Sequence, residues 1–321
     1  MKSLGSPADT QERLAESALA RWDAFDAERG RYGVAVPGAA SPSYHGVESA
    51  SYLVAPDGGD PAYLLKVTVA EISGLIDQAA SLAAARTIHG LGLAPKPVAA
   101  FPEQGAILFE LLGEGWRAAR IDDLRSGGNP ARLVEMQRSI GAGPALARDW
   151  SVFDGIGDLR GVLATTKVRL PDDASRLFAT VDSIGSALAA SGIDLRPAHG
   201  DPQSSNVMIG PVGALRLVDF DMAANVDPYY QLGILMNELC QFDDEMKPLL
   251  EMHEGRFDDP LFARCRLYAA ADDLYWALRS LVLDQLSPRR SLEFLKFAEW
   301  RLLRCRSLVG RPDFEGLIRS I

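Results

Sequence analysis

Apolar residues recur along the chain in two rhythms. Near the N-terminus Leu14, Ala18, Trp22 and Phe25 fall at helical spacing, and either Asp9 or Thr10 can cap the segment, so it reads as a packing helix. From Arg31 to about Val69 the texture changes to short β-prone runs separated by Gly, Pro and Ser turns. The runs "ASYLVA" and "AYLLKVTV" flank the loop-like "APDGGDPAY" and read as a hairpin within a small antiparallel sheet. The Ala- and Leu-rich "EISGLIDQAASLAAARTIHGLGL" reads as a helix, closed by Gly90 and Gly92 with Pro95 and Pro97 beyond. "GAILFELLGEGW" reads as one more buried strand. Beyond about residue 114 helical periodicity dominates, interrupted chiefly by "PAHGDPQSSNVMIGPVGALRLVDFD", Pro197 to Asp221. The pattern predicts an α+β chain: a small antiparallel-sheet lobe with an N-terminal helix over 1–113, then a larger, mostly helical lobe over 114–321. No internal repeat or low-complexity tract interrupts it.

The interruption carries the chemistry. "SNVMIG" and "LRLVDFD" read as two short strands joined by "GPVGA", and an antiparallel hairpin of that length brings Asn206 near Asp219. Asp201 precedes Asn206 by five residues on the loop before it. An Asn and an Asp side by side offer hard oxygen ligands, and Mg²⁺ bound partly through nucleotide phosphates needs only one or two protein carboxylates. A further carboxylate, free of the metal, can accept the proton of a hydroxyl nucleophile. Phosphoryl transfer from ATP asks a protein for that division of labour.

Composition narrows the partners. The 321 residues suffice for two lobes and a cleft, and 47% hydrophobic with 24% charged residues is ordinary globular composition. A net charge of −10 argues against nucleic acid and suits a cationic or neutral small ligand. Cys240, Cys265 and Cys305 are few and far apart, which suggests reduced thiols rather than a disulfide framework or a zinc site. The N-terminal segment lacks the apolar core of a signal peptide, and no apolar run approaches a membrane span, so a soluble, cytoplasmic protein is expected.

"HGDPQSSNVM" followed by "LRLVDFD" resembles the catalytic loop and metal-binding motif of the aminoglycoside phosphotransferase and choline/ethanolamine kinase superfamily. The resemblance runs from about Gly33 to Leu308 and implies a two-lobed, protein-kinase-like fold with ATP and Mg²⁺ as cofactors. It implies Asp201 as catalytic base, His199 as a brace for the loop, and Asn206 and Asp219 as metal ligands. Lys66, in "AYLLKVTV", sits where the family places the residue that touches the nucleotide phosphates. Ser49 and Ser51, on a turn in "GVESASYLVA", would lie over those phosphates, and the backbone around Glu110 to Leu112 would bond adenine. The family commonly pairs the strand Lys with a Glu on the next helix, where this chain has Ser81; Glu71 or Asp77 could substitute, and the pair is left unassigned.

The C-terminal half is most similar to bacterial choline and ethanolamine kinases, which implies a small-molecule hydroxyl substrate of the amino-alcohol type. Gln203 matches a position beside the substrate, Glu238 an acid near the cationic head group, and Trp276 one aromatic wall. Phe297 and Phe242 supply further aromatic surface. A quaternary ammonium cannot donate hydrogen bonds, so ring faces and a carboxylate must hold it. Two further positions depart from the family. Arg279 stands where a second Trp is usual, three residues from Trp276 and so on the same helix face. Either it faces the pocket and suits a carboxylate or phosphate on the substrate, or it pairs with Asp272 or Asp273. Gln231 replaces an Asp before "LG" that supports the catalytic loop in relatives. A carboxylate-bearing hydroxy metabolite and an aminoglycoside are the competing substrates. The presence of all three core residues speaks against a nucleotide-binding pseudokinase or scaffold.

Overall fold

The computed structural model describes residues 1–40 and 44–321. The chain opens with α1 (Thr10–Leu19), β1 (Arg31–Val36), β2 (Ser49–Ala55), β3 (Tyr63–Thr68), α2 (Gln78–Gly90), β4 (Pro97–Phe101), β5 (Ala106–Glu110) and β6 (Arg117–Ala118). Helices α3 (Ile121–Arg125), α4 (Asn129–Gly141), α5 (Val152–Ala164) and α6 (Ala174–Ala190) follow. Then come four short strands, β7 (Arg196–Ala198), β8 (Val207–Ile209), β9 (Leu215–Leu217) and β10 (Ala224–Val226). The chain closes with α7 (Pro228–Leu239), α8 (Asp243–Glu254), α9 (Asp259–Leu286), α10 (Phe294–Val309) and α11 (Phe314–Arg319). None of these helices is long and apolar enough to cross a membrane. Two compact units result. One joins Met1–Ala118 with Val207–Met222, the other Ala119–Asn206 with Ala223–Ile321.

The first unit is built on an antiparallel sheet in the order β1-β2-β3-β5-β4. Alternation along β3 sends Leu65 and Val67 into a core with Ala15, Leu19, Tyr52, Val54 and Leu108, so α1 covers that face of the sheet. Asp9 caps α1, its carboxylate accepting the Glu12 amide at 2.8 Å. The helix stops at Leu19, short of the expected Trp22 and Phe25. Bonds tighten there to i−3, and Asp26 draws the amides of Glu28 and Arg29 into a local turn. Phe25 still reaches the core, and Trp22 packs edge-on against Tyr63 at 4.8 Å. The helix expected after β3 is in two pieces, a 3₁₀ stretch at Ala70–Leu75 and α2. Asp77 makes the break, with extended backbone and a carboxylate that accepts the Ala80 amide at 2.9 Å. Part of the Gly-, Pro- and Ser-rich turn region, residues 41–43, lies outside the described residues. The β8–β9 hairpin forms as its sequence predicts, with Val207 opposite Leu217, and pairs with β6.

The second unit is organised around α9, buried along most of its 28 residues and packed against α5, α7 and α10. Several of its buried polar side chains are paired with groups on neighbouring elements. Arg264 and the Tyr268 hydroxyl bind Asp227, which caps α7. Asp272 accepts from Tyr230 and is paired with Arg301 of α10, while Asp273 lies 2.9 Å from the Arg301 Nε and 3.3 Å from the Arg304 Nε. Helices α7 and α9 come into close contact at Gly233, where an added Cβ would stand 2.3 Å from the Cys265 carbonyl oxygen. No rotamer can relieve a clash with backbone. Gly233→Ala should therefore destabilise the protein by about 2 kcal/mol, the usual cost of overpacking a core; urea unfolding measures it, and an unchanged midpoint would show that the helices separate freely.

Candidate active site

In the first unit Lys66 leaves β3 on the sheet face opposite Leu65 and Val67. Its ammonium donates to Asp219 Oδ1 at 2.6 Å and to Asp221 Oδ2 at 2.7 Å. Asp219 has φ +67°, a left-handed conformation that a non-glycine residue adopts only under constraint from its surroundings. Phe220, between the two acids, packs its ring against Phe109 of β5. Burial alone would lower the Lys66 pKa, yet the two carboxylates hold it well above the usual lysine range. Burial pushes the Asp221 carboxyl up, helped by the charges of Asp219 and Glu48 and opposed by Lys66. The question of the Lys66 partner thus has an answer far along the chain. The Ser81 hydroxyl donates to the Asp77 carbonyl, the Asp77 carboxylate is spent on capping, and Asp221 supplies a second acid. Asp221 was not assigned from the sequence; the signal was the i, i+2 pair of acids in "DFD".

Ser49 and Ser51 lie on β2 itself, not on a turn before it. Their positions face Thr68 and Lys66 across the β2–β3 pair, which puts Ser51 beside Lys66 on one face of the sheet. At the end of β5 the Glu110 amide donates to the Lys96 carbonyl and the Leu111 amide to the Ala62 carbonyl. Among the described residues, the Leu112 amide has no such partner.

In the second unit the loop from His199 to Asn206 follows β7, which pairs with β10. Gly200, at φ +80°, makes the turn that a side chain would strain. His199, Asp201, Gln203 and Asn206 are all buried, and they bond to one another. The Gln203 Nε2 donates to Asp201 Oδ1 at 2.8 Å, and the Asn206 Nδ2 donates to Asp201 Oδ2 at 2.7 Å and to the Asp201 carbonyl at 3.1 Å. The Asp201 amide donates to His199 Nδ1 at 3.4 Å. With its NH₂ committed to Asp201, Asn206 keeps Oδ1, on the other branch of the planar amide, as an acceptor.

The residues expected around the substrate have other neighbours. Gln203 belongs to the Asp201 cluster. Glu238, near the end of α7, accepts both the amide and the hydroxyl of Ser204, at 3.0 and 2.7 Å. Trp276 and Phe297 are buried in the second unit, the first beside Tyr275 and the second against Trp300. Phe242 is exposed at the start of α8. Arg279 does share a face with Trp276. Its guanidinium carbon lies 5.6 Å from that ring and 5.8 Å from the Tyr275 ring, and it donates to the Tyr275 hydroxyl at 2.7 Å. The backbone carbonyl of buried Gln231 accepts from Gln137, and its Oε1 has no hydrogen-bond partner among the described residues.

The model of the phosphotransferase enzyme family matches residues 41–268, and the chain belongs to that family. Its fold is similar to that of a choline/ethanolamine kinase family protein from Mesorhizobium loti, at 21% identity and a TM-score of 0.77, over 97% of this chain and 99% of that one. Choline kinase LicA from Streptococcus pneumoniae is similar at 19% identity and a TM-score of 0.70, over 81% and 89% of the two chains. The GDP complex of wild-type aminoglycoside 2′-phosphotransferase-IIIa gives 13% identity and a TM-score of 0.61, over 93% and 99%. No curated protein matches the sequence. The protein is a phosphotransferase with the α+β, protein-kinase-like fold.

Removing the shared ammonium would take the Lys66 charge away from the buried Asp221 and from Asp219 beside it. Lys66→Met should lower stability by about 3 kcal/mol, as expected for a broken buried ion pair, and adding Asp221→Asn should recover more than half of it. Urea unfolding of the single and double variants checks this; a double variant no more stable than the single would remove charge repulsion as the cause.

Proposed function

We propose that the protein is an ATP- and Mg²⁺-dependent kinase that phosphorylates a hydroxyl group of a small polar metabolite, with an amino alcohol of the choline or ethanolamine type as acceptor. The observation that carries the reading is the Asp201 carboxylate, buried and held by one amide donor on each oxygen. A carboxylate fixed in this way is oriented before the substrate arrives, as a group that takes the proton of an attacking hydroxyl must be. His199 and Gln203 keep the loop and the carboxylate in place.

Asn206, through Oδ1, and Asp219 are hard oxygen donors of the kind Mg²⁺ accepts beside phosphate oxygens. When bound, the ion neutralises charge on the transferring phosphoryl group. Lys66 would hold the nucleotide phosphates, with Ser51 next to it on the sheet, and the Leu112 amide would donate to the adenine. A nucleotide is in keeping with similar solved structures that contain AMP or GDP. Dependence on ATP assigns the activity to the cytoplasm. Similarity to several choline and ethanolamine kinases, including an ethanolamine kinase of Plasmodium vivax, favours an amino-alcohol acceptor.

Arg279 favours a second reading of the acceptor. A guanidinium already lies over the rings of Trp276 and Tyr275, where a choline head group would need those faces. A hydroxy compound that also bears a carboxylate or phosphate would suit that cation. An aminoglycoside is less suited, because the acids that a polycation would need are engaged: Glu238 with Ser204, and Asp272 and Asp273 with Arg301 and Arg304.

ADP release from Mg²⁺-ATP, measured against choline, ethanolamine, hydroxy acids, sugars and aminoglycosides, separates these readings. Turnover of an amino alcohol supports the first, turnover confined to anionic hydroxy compounds the second, and silence across the panel defeats both. Asp201→Asn should lower turnover about 10²- to 10⁴-fold, the range for a general base, while leaving ATP affinity within about twofold by calorimetry; undiminished turnover would remove Asp201 from the chemistry.

A further inference from the structure

We propose that Glu238 is a positioning residue for the loop that carries Asp201, with its carboxylate committed to the chain rather than to a cationic substrate. The inference rests on Asp201 acting as general base. One oxygen of Glu238, Oε1, receives both polar hydrogens of Ser204, from the amide and from the hydroxyl. Hydrogen bonds to an ionised acceptor are the strong kind. Ser204 opens the 3₁₀ turn Ser204–Asn206, which the Asn206 amide closes on the Gln203 carbonyl at 3.0 Å. Asn206 then grips the Asp201 carboxylate and carbonyl. Glu238 thus acts on Asp201 through Ser204, which it bonds directly, and Asn206.

The support for this brace is stiff. Asn237, the preceding residue, donates to Asp273 at 3.0 Å, and its carbonyl accepts from Arg304 at 2.6 Å, so the end of α7 is tied to both α9 and α10. At Gly233 the same helix lies directly on the α9 backbone. The charge of Glu238 also has a protein partner nearby, since it contributes to holding the buried Arg301 guanidinium in its protonated form. A carboxylate so placed is poorly available as the counter-charge of a ligand.

The two roles differ in what they need from the side chain. A brace needs an acceptor oxygen, which glutamine keeps; a counter-charge needs the charge, which glutamine loses. Amide hydrogen exchange of the full chain, read on peptides covering Gln203–Asn206, and steady-state kinetics with the best acceptor of the panel provide independent readouts. Glu238→Ala should speed exchange at Ser204–Asn206 at least tenfold and lower kcat about ten- to a hundredfold, the size expected when a reacting group is misplaced by a fraction of an ångström to an ångström, with the acceptor KM within twofold. Glu238→Gln should restore both readouts. Ser204→Ala should speed exchange by less, and in the Glu238→Ala background should add nothing. The proposal is overturned if Glu238→Ala leaves loop exchange unchanged, or if Glu238→Gln raises the acceptor KM tenfold while the loop stays protected. Should the wild-type chain turn over no acceptor, the kinase reading fails, and exchange alone still decides whether Glu238 holds the loop.

Discussion

One buried ammonium shared by two carboxylates sets the terms for the first unit. A lysine can be buried to this extent only if its charge is met, and meeting it draws the segment after β9 against the face of the sheet that Lys66 occupies. The strict alternation of β3 then leaves Leu65 and Val67 for the other face, where α1 covers them. The same demand accounts for the backbone of Asp219. A non-glycine residue in the left-handed region persists when its surroundings over-determine it, and here the ion pair on one side and the Phe220–Phe109 contact on the other do so.

The second unit meets a comparable demand along α7. At its first turn Asp227 caps the helix and receives Arg264 and Tyr268; near its start Tyr230 reaches Asp272; at its last turn Asn237 and Glu238 bond to α9, α10 and the Ser204 turn. The acids buried there, Asp227, Asp272 and Asp273, each lie against an arginine, which is the condition for keeping charges in a packed interior. The helix is therefore fixed in rotation as well as in position. A loop hung from such an element inherits that precision.

The sequence made legible what depends on local pattern. The β2–β3 and β8–β9 hairpins, the Asp9 cap and the acids of the "HGDPQSSN" and "VDFD" segments all follow from period, turn chemistry and resemblance. What was hidden depends on contacts distant in sequence or on short competing bonds. Asp77 breaks the helix after β3 because a cap on α2 outweighs the helical content on both sides of it. β4 begins at a proline, which reads as a loop and is tolerated because the strand lies at the sheet edge. The partners of Lys66 were sought on the nearest helix, whereas the fold takes one of them from position 221. Gln203 and Glu238 were read as facing a ligand, and no pattern along the chain reveals that Ser204 and Asp201 take up their polar atoms.

The discontinuity of the first unit has a consequence for biosynthesis. Residues 1–118 leave the ribosome first, yet Val207–Met222 belong to the same compact body. At roughly 5–20 residues per second, synthesis of the intervening segment occupies on the order of ten seconds. For that interval the nascent sheet carries Lys66 on its face with neither acid yet made. The earlier portion must wait in an unfinished state for a hairpin encoded downstream of the intervening segment, so its completion is timed by the chain that follows it.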